Sequence, residues 1–293
     1  MKNNLGIILK NQGKLEEAER AYRDILAVEQ MAPGDHSMRL SATKNNLALV
    51  FRGQGNFAEA ERVHREELEL TVAKRGEEHI STLTSQHNLA LTPKQLGKLD
   101  EAEEIWRGAL SRCVKMLGRD HLLTLRIRSN HALVLSLQSK ADAEQALREA
   151  LNASTHSLGA SHPDTLVSKA NLARMSAQWG RYAEAQPLCR EIIAAWKALR
   201  GTNHPSWLSA IAGLSSVLRH QRMFVEAREL QGQVVDLSTK IFGPQHPFTC
   251  HAMRNLSCIC DEEDSQLATL NFTQPRTDAN DDNLTSAGEQ SLD

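Results

Sequence analysis

The chain has 293 residues, of which 41% are hydrophobic and 4% aromatic, and its formal net charge is −2. It is long enough to bury a substantial core, in which small and aliphatic side chains dominate, as suits close packing between helices. No run of about 18 apolar residues occurs, and the N-terminal residues lack the apolar run and cleavage site of a secretory signal. We therefore expect a cytoplasmic protein with no membrane association.

The cysteine content also fits a cytoplasmic protein, and the charge distribution sets the C-terminal segment apart from the rest of the chain. The five cysteines are few and irregularly spaced, which argues against a disulfide framework and fits a reducing compartment. Residues 261–293 hold nine acidic residues and one basic residue, a net charge of −8, whereas the rest of the chain carries +6. Because this last segment lacks apolar spacing for packing, we expect an acidic disordered tail.

A repeat of about 42 residues dominates the sequence. The same alanine recurs at intervals of 42, 42, 41, 42 and 42 residues, at Ala18, Ala60, Ala102, Ala143, Ala185 and Ala227. Glycines keep the same step, and so does an asparagine that usually precedes leucine. Within each copy, apolar residues at three- and four-residue spacings predict two amphipathic helices, A and B, separated by a turn. Each copy is therefore an antiparallel helical hairpin.

The predicted elements follow one another without a large gap. In chain order, the repeats occupy about 1–35, 36–78, 79–120, 121–161, 162–203 and 204–245, followed by a capping helix at 246–260 and the acidic tail at 261–293. Large side chains four residues after the B-helix alanine are expected to fill the space between hairpins, as at Tyr22, Trp106 and Leu147.

Three departures from the repeat are expected to have local effects. Pro93 lies in the predicted A helix of the third copy and should kink that helix or end it early. The fourth copy is one residue short, and the gap falls near residues 139–140, in a turn. In the sixth copy, Gly213 stands where the other copies have asparagine.

Three motifs identify a family that the repeat resembles. They are Asn46-Leu47-Ala48, Gly97-Lys98-Leu99-Asp100-Glu101-Ala102-Glu103 and Gly159-Ala160-Ser161-His162-Pro163. This pattern resembles the tetratricopeptide repeat (TPR) of the kinesin light chain type over residues 3 to about 260. The resemblance implies an all-α superhelix, a solenoid of helical hairpins with a concave groove. The heptad coiled coil of kinesin light chains is not found in this sequence, so motor association is not supported. The first copy lacks the start of helix A, so the chain is either a fragment of a longer protein or begins with an incomplete hairpin.

The resemblance also implies which side chains face the groove. In this family helix A lines the inner surface, through the residues two before the leucine of Asn-Leu-Ala and two and five after it. Five of the eighteen positions selected in this way are basic and none is acidic. A concave basic surface attracts acidic segments, although long basic side chains on a solvated helix face would give the same pattern. The candidate groove residues are Asn3, Lys10, Asn45, Arg52, His87, Lys94, Arg174 and Arg219. Asn3 and Asn45 are expected to hydrogen-bond the main chain of an extended peptide.

Catalytic and metal-binding motifs are not found. The histidines at the repeat boundaries recur once per repeat, about 10 Å or more apart, whereas zinc ligands converge at about 2 Å from one ion. We interpret them as structural and expect no metal and no cofactor. The groove also has too few aromatic side chains for base stacking, which disfavours nucleic-acid binding.

The sequence therefore predicts a protein-interaction scaffold or adaptor without enzymatic activity, whose groove binds a protein or an acidic peptide. The alternative is a regulatory or sensor segment of a larger nucleotide-binding (NB-ARC/STAND-like) signalling protein, although no Gly-x-x-x-x-Gly-Lys-Ser/Thr loop is found. The opposed charges also suggest that the acidic tail contacts the groove of its own chain.

Overall fold

The structure is a computed structural model that describes residues 2–31 and 36–273. Within these residues the chain forms thirteen α-helices and no strand. In chain order they are α1 (Lys2–Asn11), α2 (Leu15–Met31), α3 (Ser37–Gly53), α4 (Phe57–Arg75), α5 (Ile80–Gln95), α6 (Leu99–Leu117), α7 (Leu122–Leu137), α8 (Ala143–Leu158), α9 (Pro163–Gln178), α10 (Tyr182–Arg200), α11 (Pro205–His220), α12 (Phe224–Phe242) and α13 (Pro247–Thr273). Each helix packs against the next one along the chain, so the odd-numbered A helices and even-numbered B helices form stacked hairpins. The all-α superhelix is confirmed.

A histidine immediately precedes each A helix from α5 to α11, and also the C-terminal helix α13. The Nδ1 atom of this histidine accepts a hydrogen bond from the backbone N–H two residues further on, at 3.1–3.2 Å. The ring thus takes the place of the serine, threonine or aspartate that caps most helices. The histidines with this role are His79, His121, His162, His204 and His246.

The hairpins close on small residues, as the repeat predicts. Ala48 of α3 and Ala60 of α4 are completely buried, as are their counterparts in the third copy. The three predicted large residues between hairpins are also completely buried, which confirms their role: Tyr22, Trp106 and Leu147. In the second copy the same position holds His64, which is completely buried as well.

Two local expectations are changed by the structure. Pro93 does not end its helix early, because α5 runs on to Gln95, the position that matches the end of α7. The proline lies in the last turn, where few residues remain to be disturbed.

The deletion in the fourth copy affects more than a turn. Helix α8 has 16 residues and begins at Ala143, whereas α4, α6, α10 and α12 have 19. The missing residue therefore costs this B helix its first turn.

The C-terminal segment is more ordered than the sequence predicts. Helix α13 continues through residues 261–273, so the prediction of a capping helix ending at 260 and of disorder from Asp261 is wrong for this stretch. The physical reason is that Glu262 and Glu263 face basic partners on α11 and α12, Arg219 and Arg228. Residues 274–293 lie outside the described part of the chain.

Candidate partner-binding groove

The A helices form the inner side of the superhelix. Direct contacts join α1 with α3, α5 with α7, α7 with α9, and α9 with α11. Consecutive B helices within the described ranges do not approach each other in this way. Since the shorter distance between repeats lies on the A side, the concave face is built from A helices, as the family resemblance implies.

Four basic side chains follow one another along this face, and we call them the groove cations. They are Lys10 of α1, Arg52 of α3, Lys94 of α5 and Arg174 of α9. Burial lowers the pKa of each of the four side chains. The charge of Arg52 lowers the pKa of Lys10 further. After burial, the charges of Arg174 and Arg52 act on Lys94, whose pKa falls to about 8. The groove cations therefore repel one another.

No carboxylate of the described residues compensates these charges. The polar partners of the groove cations are neutral: Arg52 Nε donates to Gln95 Oε1 at 3.2 Å, and Arg174 donates to Asn171 Oδ1 at 3.1 Å. Lys94 Nζ lies 5.9 Å from the centre of the Trp106 ring.

The B helices show the opposite arrangement. Several of their arginines pair with carboxylates of the same helix or of the next repeat, as Arg62 does with Glu59 at 2.7 Å and Arg148 with Glu184 at 2.6 Å. The groove cations thus lack the carboxylate partners that these outer-face arginines have.

The structure describes the side chain of one of the two candidate groove asparagines, Asn45. Asn45 accepts a hydrogen bond at 2.9 Å from the amide of Asn88, the repeat asparagine of the next copy. Its carbonyl end is therefore used between repeats, and the expected hydrogen bonds of Asn45 to a peptide main chain stay a prediction. Asn171 makes the corresponding bond to Ser129 Oγ at 3.1 Å. Asn3 lies in α1, but its side chain is outside the described part of the structure.

His87 does not line the groove surface. It is 9% exposed and accepts a hydrogen bond from Trp106 Nε1 at 3.3 Å. Burial, and then the charges of Arg126, Arg52 and Lys94, lower its pKa to about 4. His87 is a neutral packing residue between helices, and its assignment to the groove is wrong for that reason.

Arg219 differs from the other predicted groove bases. Its guanidinium lies 3.7 Å from the Glu262 carboxylate of α13, and its side chain is half-buried. The C-terminal helix therefore supplies a counter-charge at this end of the A-helix face.

A cavity that the sequence did not predict opens between α9 and α11. Its volume is about 490 Å³, and Arg174 and Gly213 lie in its lining. Its floor is formed by α10, through Ile192 and Trp196. The glycine at the asparagine position is the one sequence signal that pointed to this place.

Metal binding and thiol chemistry depend on how the histidine, cysteine and acidic side chains of the described residues are placed. No group of three or more histidine, cysteine, aspartate or glutamate side chains among them is placed to hold an ion. Burial raises the pKa of the Cys113 and Cys189 thiols to about 11, so neither is a ready nucleophile. Within the same residues, no helix combines the length and the apolar character needed to cross a bilayer.

Comparison with known families identifies the class of protein. Two family profiles, both described as tetratricopeptide repeat, match this chain. One matches residues 1–71, 39–104 and 81–155, and the other matches residues 165–206 and 207–248. The chain belongs to the tetratricopeptide repeat family, whose scaffold is typical of protein-interaction adaptors. No curated protein sequence matches it.

Solved structures confirm the resemblance to kinesin light chain repeats. A putative kinesin light chain with nearly identical TPR-like repeats from Podosopora anserina is 25% identical, with a TM-score of 0.52 over 71% of this chain and 98% of that one. BtubC (BKLC) from P. vanneervenii is 17% identical, with a TM-score of 0.52 over 95% and 98% of the two chains. A Rap protein complexed with competence and sporulation factor is 11% identical, with a TM-score of 0.61 over 90% and 75%. The last two establish the fold alone.

Proposed function

We propose that this chain is a non-catalytic adaptor that holds an acidic, extended segment of a partner protein along the groove cations. The observation that supports this function is the set of four basic side chains without a carboxylate partner on the A-helix face. An acidic segment relieves their mutual repulsion and provides the missing counter-charges. The Rap relative was solved with competence and sporulation factor bound, which supports partner binding by a scaffold of this shape.

The spacing of the groove cations defines the segment more closely. Lys10, Arg52 and Lys94 occupy the same position in three successive A helices. Packed helices lie about 8–10 Å apart, and a peptide in the extended polyproline II conformation advances about 3.1 Å per residue, with every third side chain on the same face. A carboxylate at every third residue of the peptide therefore matches one cation per repeat.

A fluorescence anisotropy titration tests this function. The probe is a labelled peptide with glutamate at every third position, compared with a peptide of the same composition whose glutamates are clustered. We expect the spaced peptide to bind more tightly. Affinity should fall as salt concentration rises, because the attraction is electrostatic.

Charge-neutral variants locate the binding face. Replacing Lys10, Arg52 and Lys94 together by glutamine should weaken binding of the spaced peptide by about tenfold or more. The matched control replaces three outer-face arginines by glutamine: Arg62, Arg148 and Arg190. Equal weakening by both triple variants would show that net charge, and not the groove, attracts the peptide.

The acidic C-terminal segment is a competitor for the same surface in this proposal. Glu262 already neutralises Arg219 at the end of the A-helix face. Residues 274–293 carry further carboxylates beyond α13. Their contact with the groove cations in the same chain would weaken the binding of an acidic partner.

A further inference from the structure

The contact between α9 and α11 lacks the side chains that join other repeats. Asn88 bonds to Asn45, and Asn171 bonds to Ser129, across successive A helices. At the equivalent place in the next pair of helices, the two residues are Ala170 and Gly213. Neither can bridge the gap, and a Cβ atom added at Gly213 would meet no other atom within 4 Å. This part of the groove therefore lacks the side-chain bridge found between α3 and α5 and between α7 and α9.

The opening leads into a well-formed cavity with apolar walls. Its volume of about 490 Å³ lies within the range of roughly 300–1,000 Å³ typical of small-molecule sites. Leu166, Ile192 and Trp196 line it and are 1%, 3% and 8% exposed. The Trp196 ring stacks on His204, with centroids 5.8 Å apart and planes 10° from parallel, so this wall is held in place. The site suits an apolar group of defined shape.

One charged side chain lines the same cavity. Arg174 donates to the neutral oxygen of Asn171 and forms no ion pair with any carboxylate in the described ranges. A guanidinium has five N–H donors in a planar fork that matches the two oxygens of a carboxylate. The other polar groups of the lining are small hydroxyls, such as Ser206 and Ser216, and carry no opposing charge. A single carboxylate beside an apolar body complements this combination.

We propose that the cavity between α9 and α11 is a binding site for a small amphipathic carboxylate, whose apolar body lies against Trp196 and whose carboxylate pairs with Arg174. This site goes beyond the proposed peptide groove. It shares Arg174 with the groove cations but does not use Lys10, Arg52 or Lys94, and its ligand is a small molecule. The absence of a side chain at Gly213 is what makes room for that ligand.

Three probes of similar shape test the ligand chemistry by isothermal titration calorimetry on the full chain. They are 4-phenylbutyrate, 4-phenylbutanol and 4-phenylbutylamine. We expect saturable binding of the carboxylate with one site per chain. The alcohol should bind at least about tenfold more weakly because it lacks the charged hydrogen bonds to Arg174, and the amine should not bind. Equal affinity for the acid and the alcohol would overturn the assignment of Arg174.

Variants of the chain test the location. Gly213→Asn restores the side chain that the other repeats carry and should abolish phenylbutyrate binding by obstructing the opening of the cavity. Its control is Gly232→Asn in α12. An added Cβ atom has free space there as well, but Gly232 does not line the cavity. Ser216→Leu is a second occluding variant, at an exposed position of the lining. Circular dichroism establishes that each variant is folded.

Two further results separate this site from the peptide groove. Arg174→Gln should weaken phenylbutyrate binding by about tenfold or more. The Lys10, Arg52 and Lys94 triple glutamine variant should bind phenylbutyrate as the unaltered chain does. Undiminished binding by both Gly213→Asn and Ser216→Leu, or no saturable binding by the unaltered chain, would overturn the proposal without affecting the peptide result.

Discussion

The side-chain amide of Asn88 in α5 donates a hydrogen bond to Oδ1 of Asn45 in α3 at 2.9 Å, which joins two successive repeats. Both side chains are half-buried. Asn88→Ala removes this bond and leaves the Asn45 oxygen partly shielded from water, so the free energy of unfolding should fall by about 1 kcal/mol. Urea denaturation measures this loss. The control is Asn130→Ala, because the Asn130 amide donates to Arg126 O within its own helix. Equal losses in the two variants would contradict an inter-repeat role for Asn88.

The affinity of the groove for an acidic peptide should depend on pH through Lys94. Burial, together with the charges of Arg174 and Arg52, lowers the pKa of Lys94 to about 8. As the pH rises from 7 to 9, Lys94 loses its proton and the groove loses one positive charge. We expect peptide affinity to fall a few-fold over this interval at constant ionic strength.

The Lys94→Arg variant is the control for this titration. Its guanidinium remains charged throughout the interval, so its affinity for the peptide should change little between pH 7 and pH 9. Anisotropy titrations of the two proteins in the same buffers give the comparison. A parallel fall in both would assign the pH dependence to another group.

Removal of the acidic residues beyond α13 should tighten the binding of an acidic peptide. The segment 274–293 holds five acidic residues and one basic residue. A chain ending at Thr273 should bind the peptide more tightly at low salt, and this difference should shrink near 1 M salt, where charges are screened within about 3 Å. A full-length variant with the five acids changed to amides separates charge from chain length. If neither variant alters affinity at low salt, the segment does not compete for the groove.

The repeat architecture was predictable from the sequence because it depends on local periodicity. Alanine positions such as Ala60 mark where two helices cross, and large residues such as Trp106 mark the space between hairpins. These features repeat at one spacing, so each copy supports the interpretation of the others. The basic character of the groove followed in the same way, since Arg52 and Lys94 occupy equivalent positions.

The remaining features depend on contacts between residues that are far apart in the sequence. The acidic start of the C-terminal segment has the composition of a solvated tail, and only the fold shows that Arg219 faces Glu262. His87 occupies a groove position by register, but Trp106 from the following helix covers it. The cavity needs Gly213 together with Ala170, a residue of the preceding repeat. No pattern within one copy reveals such pairs.

His64 should make the protein less stable in mild acid. It is completely buried, and burial, with a smaller effect of the Arg52 charge, lowers its pKa from 6.5 to about 4. The unfolded chain therefore takes up a proton below pH 6.5, whereas the folded chain does so only near pH 4. Stability from this residue is complete above pH 6.5 and is lost as the pH falls, by roughly 2 kcal/mol at pH 5.

The His64→Leu variant tests this contribution. Leucine cannot take up a proton, so the difference between the unfolding free energies at pH 7 and pH 5 should shrink by about that amount. Urea denaturation at both pH values measures the difference. The control is His156→Gln, at an exposed position. A pH dependence that His64→Leu leaves unchanged would place its origin elsewhere, for instance in His87, whose pKa burial also lowers to about 4.

The turns between helices A and B give the clearest opportunity to stabilise the fold. Four copies place glycine at the turn position with φ between +73° and +78°, whereas the fourth and sixth copies place Ser139 and Arg222 there, at φ values of 54° and 61°. A side chain in this left-handed region costs about 1–2 kcal/mol, of which the greater freedom of glycine in the unfolded chain offsets a part. Ser139→Gly and Arg222→Gly should therefore each raise the free energy of unfolding by about 0.5–1 kcal/mol. The reciprocal variant Gly97→Ser should lower it by a similar amount. Denaturation midpoints that move the same way for Ser139→Gly and Gly97→Ser would show that backbone strain does not control these turns.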